Sequence, residues 1–185
     1  MKVLIAGIFT AVGLCAMSSV AHAESPLMAP IHQFIDNFNK GDQKAAAAAF
    51  VPTGLAIIDE VPPHVWTGAT ALEDWAKDLG AHDKMAGDTD ESVTLGVATR
   101  EISSGERGYV VVPVVYHYKE HGVAMREPAQ MTYALQKGAS GWLITGWTWV
   151  GTKPVGAKPA AAKPAAAKPS AAKPTPAKPA AAPQK

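Results

Sequence analysis

The sequence predicts an α+β fold: a curved antiparallel sheet wrapped around helices gathered near the N-terminus. Three observations predict it. Amphipathic helical patterns occupy residues 25–50 and 70–79, β-rich runs fill residues 92–150, and the turns between those runs are short. Short turns pair neighbouring strands antiparallel, as a meander.

The elements follow in order. Ser25 and Pro26 read as an N-cap followed by proline in the first helical turn. Ile31, Phe34, Ile35 and Phe38 then recur at i, i+3, i+4 and i+7, one apolar stripe that ends at Asn39-Lys40-Gly41. Asp42 is placed to cap a short helix through "QKAAAAAF", and "LAIID" reads as a strand that runs into the Pro62-Pro63 turn. Thr70 and Glu73 form the pattern of a capping box. Leu72, Trp75, Ala76 and Leu79 share one helical face, Gly80 is the expected stop, and "AHDKMAGDTD" reads as a polar connection. The strands are "SVTLGVATREI", "GYVVVPVVYHYK", "VAMREPAQMTYALQ" and "WLITGWTWV", with turns at 103–107, 120–122 and 138–141. Pro113, in mid-strand, predicts a bulge or an edge where the sheet curls.

The two ends are of another kind. Residues 1–23 combine Lys2, the apolar run "VLIAGIFTAVGLCAM" and a closing Ala21-His22-Ala23, the pattern of a secretory signal peptide cleaved before Glu24. The apolar run is too short to span a bilayer, so no transmembrane segment is expected after cleavage. The expected location is therefore periplasmic or secreted. Cys15, the chain's one cysteine, lies in this leader, which leaves residues 24–185 without a disulfide, thiol nucleophile or thiolate ligand. Residues 152–185 repeat Lys-Pro every five residues among alanines, and a proline at that period lets neither helix nor sheet propagate. They read as a disordered tail with seven lysines and no acid. One domain, 24–151, lies between, with nine lysines and arginines against sixteen acids. An acidic body argues against nucleic acid as a partner. The basic tail suits weak contact with envelope polyanions, or solvation alone.

Two strands read as apolar on both faces. Val110, Val112, Val114 and Tyr116 oppose Tyr109, Val111, Pro113 and Val115; in the last strand Leu143, Trp147 and Trp149 oppose Trp142, Ile144 and Val150. Helices can cover one face only, so a homodimer through the other face is expected.

This order of parts resembles the nuclear transport factor 2-like superfamily, its SnoaL-like secreted bacterial members in particular. The likeness spans about 25–151. It rests on "FIDNFNKGDQKAAAAAF", "IIDEVPPHVWTGATALEDW" and "GWLITGWTWV". It implies a cystatin-like α+β cone with a conical cavity between sheet and helices, lined by aromatic and aliphatic side chains. The superfamily holds isomerases, cyclases, dehydratases and binding or transport modules, so fold does not fix function. A module that binds a small apolar or aromatic molecule is the first expectation. The alternatives are an isomerase-, cyclase- or dehydratase-type enzyme and a structural dimer with an envelope-binding tail.

Asp59 is the candidate catalytic acid or base, since it ends an apolar strand that can direct it into the cavity; a structural carboxylate holding the Pro-Pro turn is the competing role. Strand alternation sends Asp59 and Glu60 to opposite faces, so one of them at most points inward. Tyr116, Tyr118 and Tyr133 are candidate hydrogen-bond donors, and Trp66, Trp147 and Trp149 candidate cavity walls, each with core packing as the alternative. His64 follows the same turn as Trp66. Arg126 and Gln130 could orient a carbonyl or an anion, or be solvated. His117 and His121 lie on a strand and its turn with no third ligand at suitable spacing, so no metal site is expected. Without a phosphate-cradling loop, a dinucleotide fingerprint or a nucleophile elbow, no cofactor is expected either.

Overall fold

The structure, a computed structural model, describes residues 24–157. The predicted leader at 1–23 and residues 158–185 of the tail lie outside the described residues. The first helix, α1 (Met28–Phe38), buries Ile31, Phe34 and Ile35 along the predicted stripe. Ser25 holds its start: the Ser25 Oγ accepts the Leu27 N–H at 3.3 Å and its carbonyl accepts the Met28 N–H at 2.9 Å. Helix α2 (Gln43–Ala47) is capped by Asp42, whose Oδ1 accepts the Ala45 N–H at 2.9 Å. Strand β1 (Leu55–Ile58) pairs antiparallel with β2 (Val65–Gly68) across the Pro62-Pro63 turn, a second strand that the prolines hid in the sequence.

Helix α3 (Ala71–Ala86) runs through the expected stop at Gly80. A solvent-exposed glycine costs a helix about 1 kcal/mol relative to alanine, which lowers its stability without ending it. The stop is Gly87, whose φ of 76° gives the left-handed cap and whose N–H reaches the Asp83 carbonyl. The expected polar connection is therefore the last turns of α3 and the start of a strand. Nor does the capping box form, for Thr70 makes no side-chain cap hydrogen bond.

The remaining strands are β3 (Asp88–Leu95), β4 (Arg100–Ser104), β5 (Arg107–Glu120), β6 (Val123–Gly138), β7 (Gly141–Gly151) and β8 (Val155–Gly156). The sheet order is β2-β1-β7-β6-β5-β3, with β4 also on β5 and β8 on β6; among the described strands only the β1–β7 pair is parallel. The run predicted as one strand over 92–102 is broken into β3 and β4 opposite Pro113. Pairing reaches Leu95 opposite Val114 and resumes with Arg100 opposite Val111. Between them the Gly96 N–H donates to the Pro113 carbonyl at 2.8 Å. Proline has no N–H to give a straight neighbour on that edge, and the irregularity predicted at Pro113 appears on the strand facing it. Past Gly151, Val155 and Gly156 pair with Arg126 and Met125, inside the segment that composition assigns to the tail.

Helices α1 and α3 pack on one face of this sheet. Val110, Tyr133, Trp147 and Ile57 cross that face in one row, all of them buried. A register shift at Thr145, between the Leu135–Ile144 and Ala134–Gly146 pairs, brings Ile144 to the same face as Trp147 and Trp149. The expected opposition of Ile144 to Trp147 and Trp149 is thus corrected: one inserted residue flips the alternation. β7 is more one-sided than its sequence suggests.

Candidate functional site

Between the helices and the sheet lies a cavity of about 340 Å³. Helix α1 contributes Phe34, Ile35 and Phe38, and α3 contributes Trp75, Leu79, His82 and Asp83. The sheet adds Tyr116, Tyr118, Glu127, Met131, Trp147 and Trp149. Asp59, Glu60 and Val61 close one side from the turn after β1, and Pro154 reaches the wall from the segment after β7. Two of the acids, Asp83 and Glu127, arrive by the same rule. Each occupies a position whose periodicity belongs to an apolar face: Asp83 follows Trp75 and Leu79 at helical spacing, and Glu127 follows the β6 series Leu135, Tyr133, Met131 and Ala129.

Asp59 lines the cavity as expected, but its oxygens are engaged. Oδ2 accepts the Trp75 indole N–H at 2.8 Å, and Oδ1 accepts the Glu60 N–H at 2.6 Å. With the Val61 N–H, which also donates to Oδ1 at 3.4 Å, three groups from a helix and a turn converge on one carboxylate, which ties α3 to the end of β1. Glu60 lines the cavity too, with Oε1 accepting the Gly151 N–H at 2.9 Å. The expectation that only one of the pair points inward is corrected: β1 ends at Ile58, so strand alternation no longer governs residues 59 and 60. Glu127 meets them there and accepts the Trp149 indole N–H at 3.3 Å. A Cβ on Gly151 would collide with the carboxylates of Glu127 and Glu60 and with Trp149 Nε1, so glycine makes this convergence possible.

Of the other candidates, Tyr116 and Tyr118 stack at 5.0 Å on the cavity wall, with the Trp149 ring edge-on to Tyr116. Trp147 packs edge-on against Trp75 at 5.1 Å. Tyr133 is fully buried away from the cavity, its hydroxyl donating to Met131 Sδ at 3.0 Å. Trp66 is a core anchor whose indole donates to Asp78 Oδ2 at 2.9 Å. Neither lines the cavity. His64 stands at the Pro-Pro turn with its ring near the Asp59 carbonyl, and Arg126 and Gln130 are exposed. Among the described residues no group of three His, Cys, Asp or Glu side chains is placed to hold a metal ion.

The groups that sequence reading missed are acidic. Asp83 is 7% exposed and its carboxyl is pushed up to about 7, first by burial and then by the negative charges of Glu91, Asp88 and Asp59. Burial likewise raises Glu127, reinforced by Glu60 and Asp59 and opposed by the Trp149 N–H. Asp88 is raised by burial and by Glu120, against His82 and His121. Burial also raises Tyr116, so its hydroxyl stays protonated at neutral pH. Three buried polar atoms of the wall, Asp88 Oδ1, the Tyr116 hydroxyl and Trp147 Nε1, have no hydrogen-bond partner among the described residues. Chemically, the site combines aromatic walls, unpaired polar atoms and a carboxyl able to give or take a proton near neutral pH.

Among family models and curated proteins none matches the chain. Solved structures do match its fold. A nuclear transport factor 2-like superfamily protein of Salmonella enterica superposes with a TM-score of 0.54 at 13% identity, over 72% of this chain and 91% of that one. A ketosteroid isomerase-like protein of Erwinia carotovora gives 0.53 at 16% identity, over 69% and 94%. An NTF2-like protein with a cystatin-like fold from Novosphingobium aromaticivorans gives 0.52 at 15%, over 65% and 75%. At these identities the likeness concerns the fold: an α+β cone of the nuclear transport factor 2-like, or cystatin-like, type.

Proposed function

We propose that this chain is a binding module that holds a small aromatic or apolar molecule in its cavity. The observation that carries this reading is a hollow of about 340 Å³ walled by Phe34, Phe38, Trp75, Trp147 and Trp149 where a solid core could stand. Aromatic walls offer large contact area to a planar guest, and the unpaired Trp147 and Tyr116 groups offer it orientation. The test is a titration of the protein with neutral aromatic fragments, beginning with 2-naphthol, followed by tryptophan fluorescence. Saturable quenching that is weakened at least several-fold by Trp147→Ala is expected; no saturable change with any fragment overturns the reading.

The alternative is an isomerase-, cyclase- or dehydratase-type enzyme. Its acid–base group is better sought at Asp83, which has no hydrogen-bond partner for its carboxyl among the described residues, than at Asp59, whose oxygens are occupied. Exchange of the α-protons of 2-tetralone in D2O, followed by NMR, tests it. Acceleration lost in Asp83→Asn supports the enzyme, and a rate equal to buffer ends it. We also propose that the protein works in the periplasm or outside the cell, supported by the leader-like sequence at 1–23 and the lack of cysteine beyond it. Recovery from the periplasmic fraction of a chain starting at Glu24 checks that address, and a cytoplasmic full-length chain refutes it. The lysine-rich tail then suits weak contact with envelope polyanions. Retention on isolated envelopes that survives deletion of 158–185 would exclude that role.

A further inference from the structure

We propose that the guest of this cavity is an organic cation, a quaternary or protonated amine carried on an aromatic or alkyl body. The inference rests on the cavity being a binding site and adds the charge its occupant carries. Five carboxylates line the cavity, Asp59, Glu60, Asp83, Asp88 and Glu127, and among the described residues no lysine or arginine does. Asp59 and Glu60 spend their oxygens on the Trp75 indole and on backbone N–H groups, which leaves them without a countercharge among the described residues. Asp59 also acts on both Asp83 and Glu127, so the acids form one field across the cavity and not two separate patches. A cation entering it gains attraction to every member, while an anion meets repulsion from each, most strongly beside the buried Asp83 and Glu127.

The unpaired atoms point the same way by a separate route. Asp83 is more than nine-tenths buried, lines the cavity, and accepts no hydrogen bond with its carboxyl among the described residues. Asp88 Oδ1 and the Tyr116 hydroxyl are likewise unpartnered. Two of these three groups are acceptors awaiting a donor or a positive charge. The rings do the rest. Trp75, Trp147, Trp149 and Tyr116 surround the same space, and the faces of indole and phenol rings attract ammonium groups. Aromatic walls combined with carboxylates are the chemistry by which alkylammonium ions are distinguished from neutral molecules of the same shape. The unpaired indole N–H of Trp147 adds a place for one oxygen acceptor on the body of the guest.

Isothermal titration of the full chain at pH 8 with three probes of similar size tests the proposal: phenyltrimethylammonium, N,N-dimethylaniline (neutral at this pH) and benzenesulfonate. The cation is expected to bind roughly tenfold or more tighter than the neutral amine, with no measurable binding of the sulfonate. Asp83→Asn and Glu127→Gln are each expected to lower the affinity for the cation about fivefold or more and to change that for N,N-dimethylaniline much less, so that the ratio of the two affinities falls. The two variants lie on different elements, so one that fails to fold leaves the other to decide. At pH 6.5 the cation should also release protons, seen as a dependence of the heat on the buffer's ionisation enthalpy. The proton comes from Asp83, which faces Asp59 from the turn after β1, Asp88 and Glu91 from β3, Tyr116 from β5 and His82 on its own helix. A neutral probe that binds as tightly as the cation overturns the charge assignment and leaves the aromatic-guest reading standing. Binding of none of the three, together with none of the neutral fragments, overturns both.

Discussion

Asp83 shows how one residue couples stability to the site. Its carboxyl titrates near 7 in the folded chain against 3.8 for an unhindered aspartate, because burial and three neighbouring acids disfavour the charge. Below pH 3.8 the folded and unfolded chains both hold the proton. Between there and pH 7 the unfolded chain gives it up while the folded chain keeps it, so stability falls as pH rises, and above pH 7 the loss is complete. Three pH units correspond to at most ~4 kcal/mol. Asp83→Asn is therefore expected to be more stable than the parent at pH 8, by up to a few kcal/mol, and equal to it near pH 4. Urea denaturation across that range checks this. A difference independent of pH would show that Asp83 does not carry the strain. Asp88, Glu91 and Glu127 are displaced in the same direction, so some decline with pH persists in the variant.

At the scale of elements, α3 explains both what the sequence revealed and what it concealed. The stripes of α1 and the front of α3 were legible because apolar residues at helical spacing have few other uses, and the cap at Asp42 because an aspartate before an alanine run has a partner three residues on. Asp83 was hidden by the reading of Gly80 as a stop; once the helix continues, an acid at helical spacing from Trp75 and Leu79 is visible on the cavity face. The Thr145 bulge was hidden for another reason, since register depends on the neighbouring strand and leaves no local mark. Glu127 could have been found, as an acid on the apolar side of an alternating strand. The glycine within α3 and the one that caps it make opposite predictions. Gly80 is exposed and helical, and a Cβ there meets nothing within 4 Å, so Gly80→Ala should stabilise by about 0.5–1 kcal/mol. Gly87 has φ of 76° and a Cβ there would strike the His121 ring, so Gly87→Ala should destabilise by ~1 kcal/mol or more. Thermal melts of the two variants moving in the same direction would refute this account of where the helix ends.

For the molecule as a whole, the open question is what covers the face of the sheet that the helices leave bare. Tyr109, Ile102 and Val150 are 41%, 43% and 58% exposed on the described chain. Tyr109 pairs across to Ala134, and Pro113 to Gln130 and on to Val150, so uncharged side chains run across three strands. Solvent contact for such a row costs free energy that a second copy of the same face can recover, because a two-fold axis sets the same apolar patch against itself, residue i meeting j and j meeting i. The bulge in β7 moves Trp147 and Trp149 inward and makes this face less apolar than the sequence alone suggests, so its exposed apolar residues lie on β4, β5 and the end of β7. We expect a homodimer at micromolar concentration by light scattering, with roughly 800 Å² buried on each partner if it is stable. Tyr109→Glu combined with Val150→Glu should shift it to monomer while leaving the far-ultraviolet circular dichroism unchanged, since both side chains point away from the cavity and the helices. A parent chain that is already monomeric under these conditions removes the dimer, and the exposed row must then be covered by something other than a second copy of this chain.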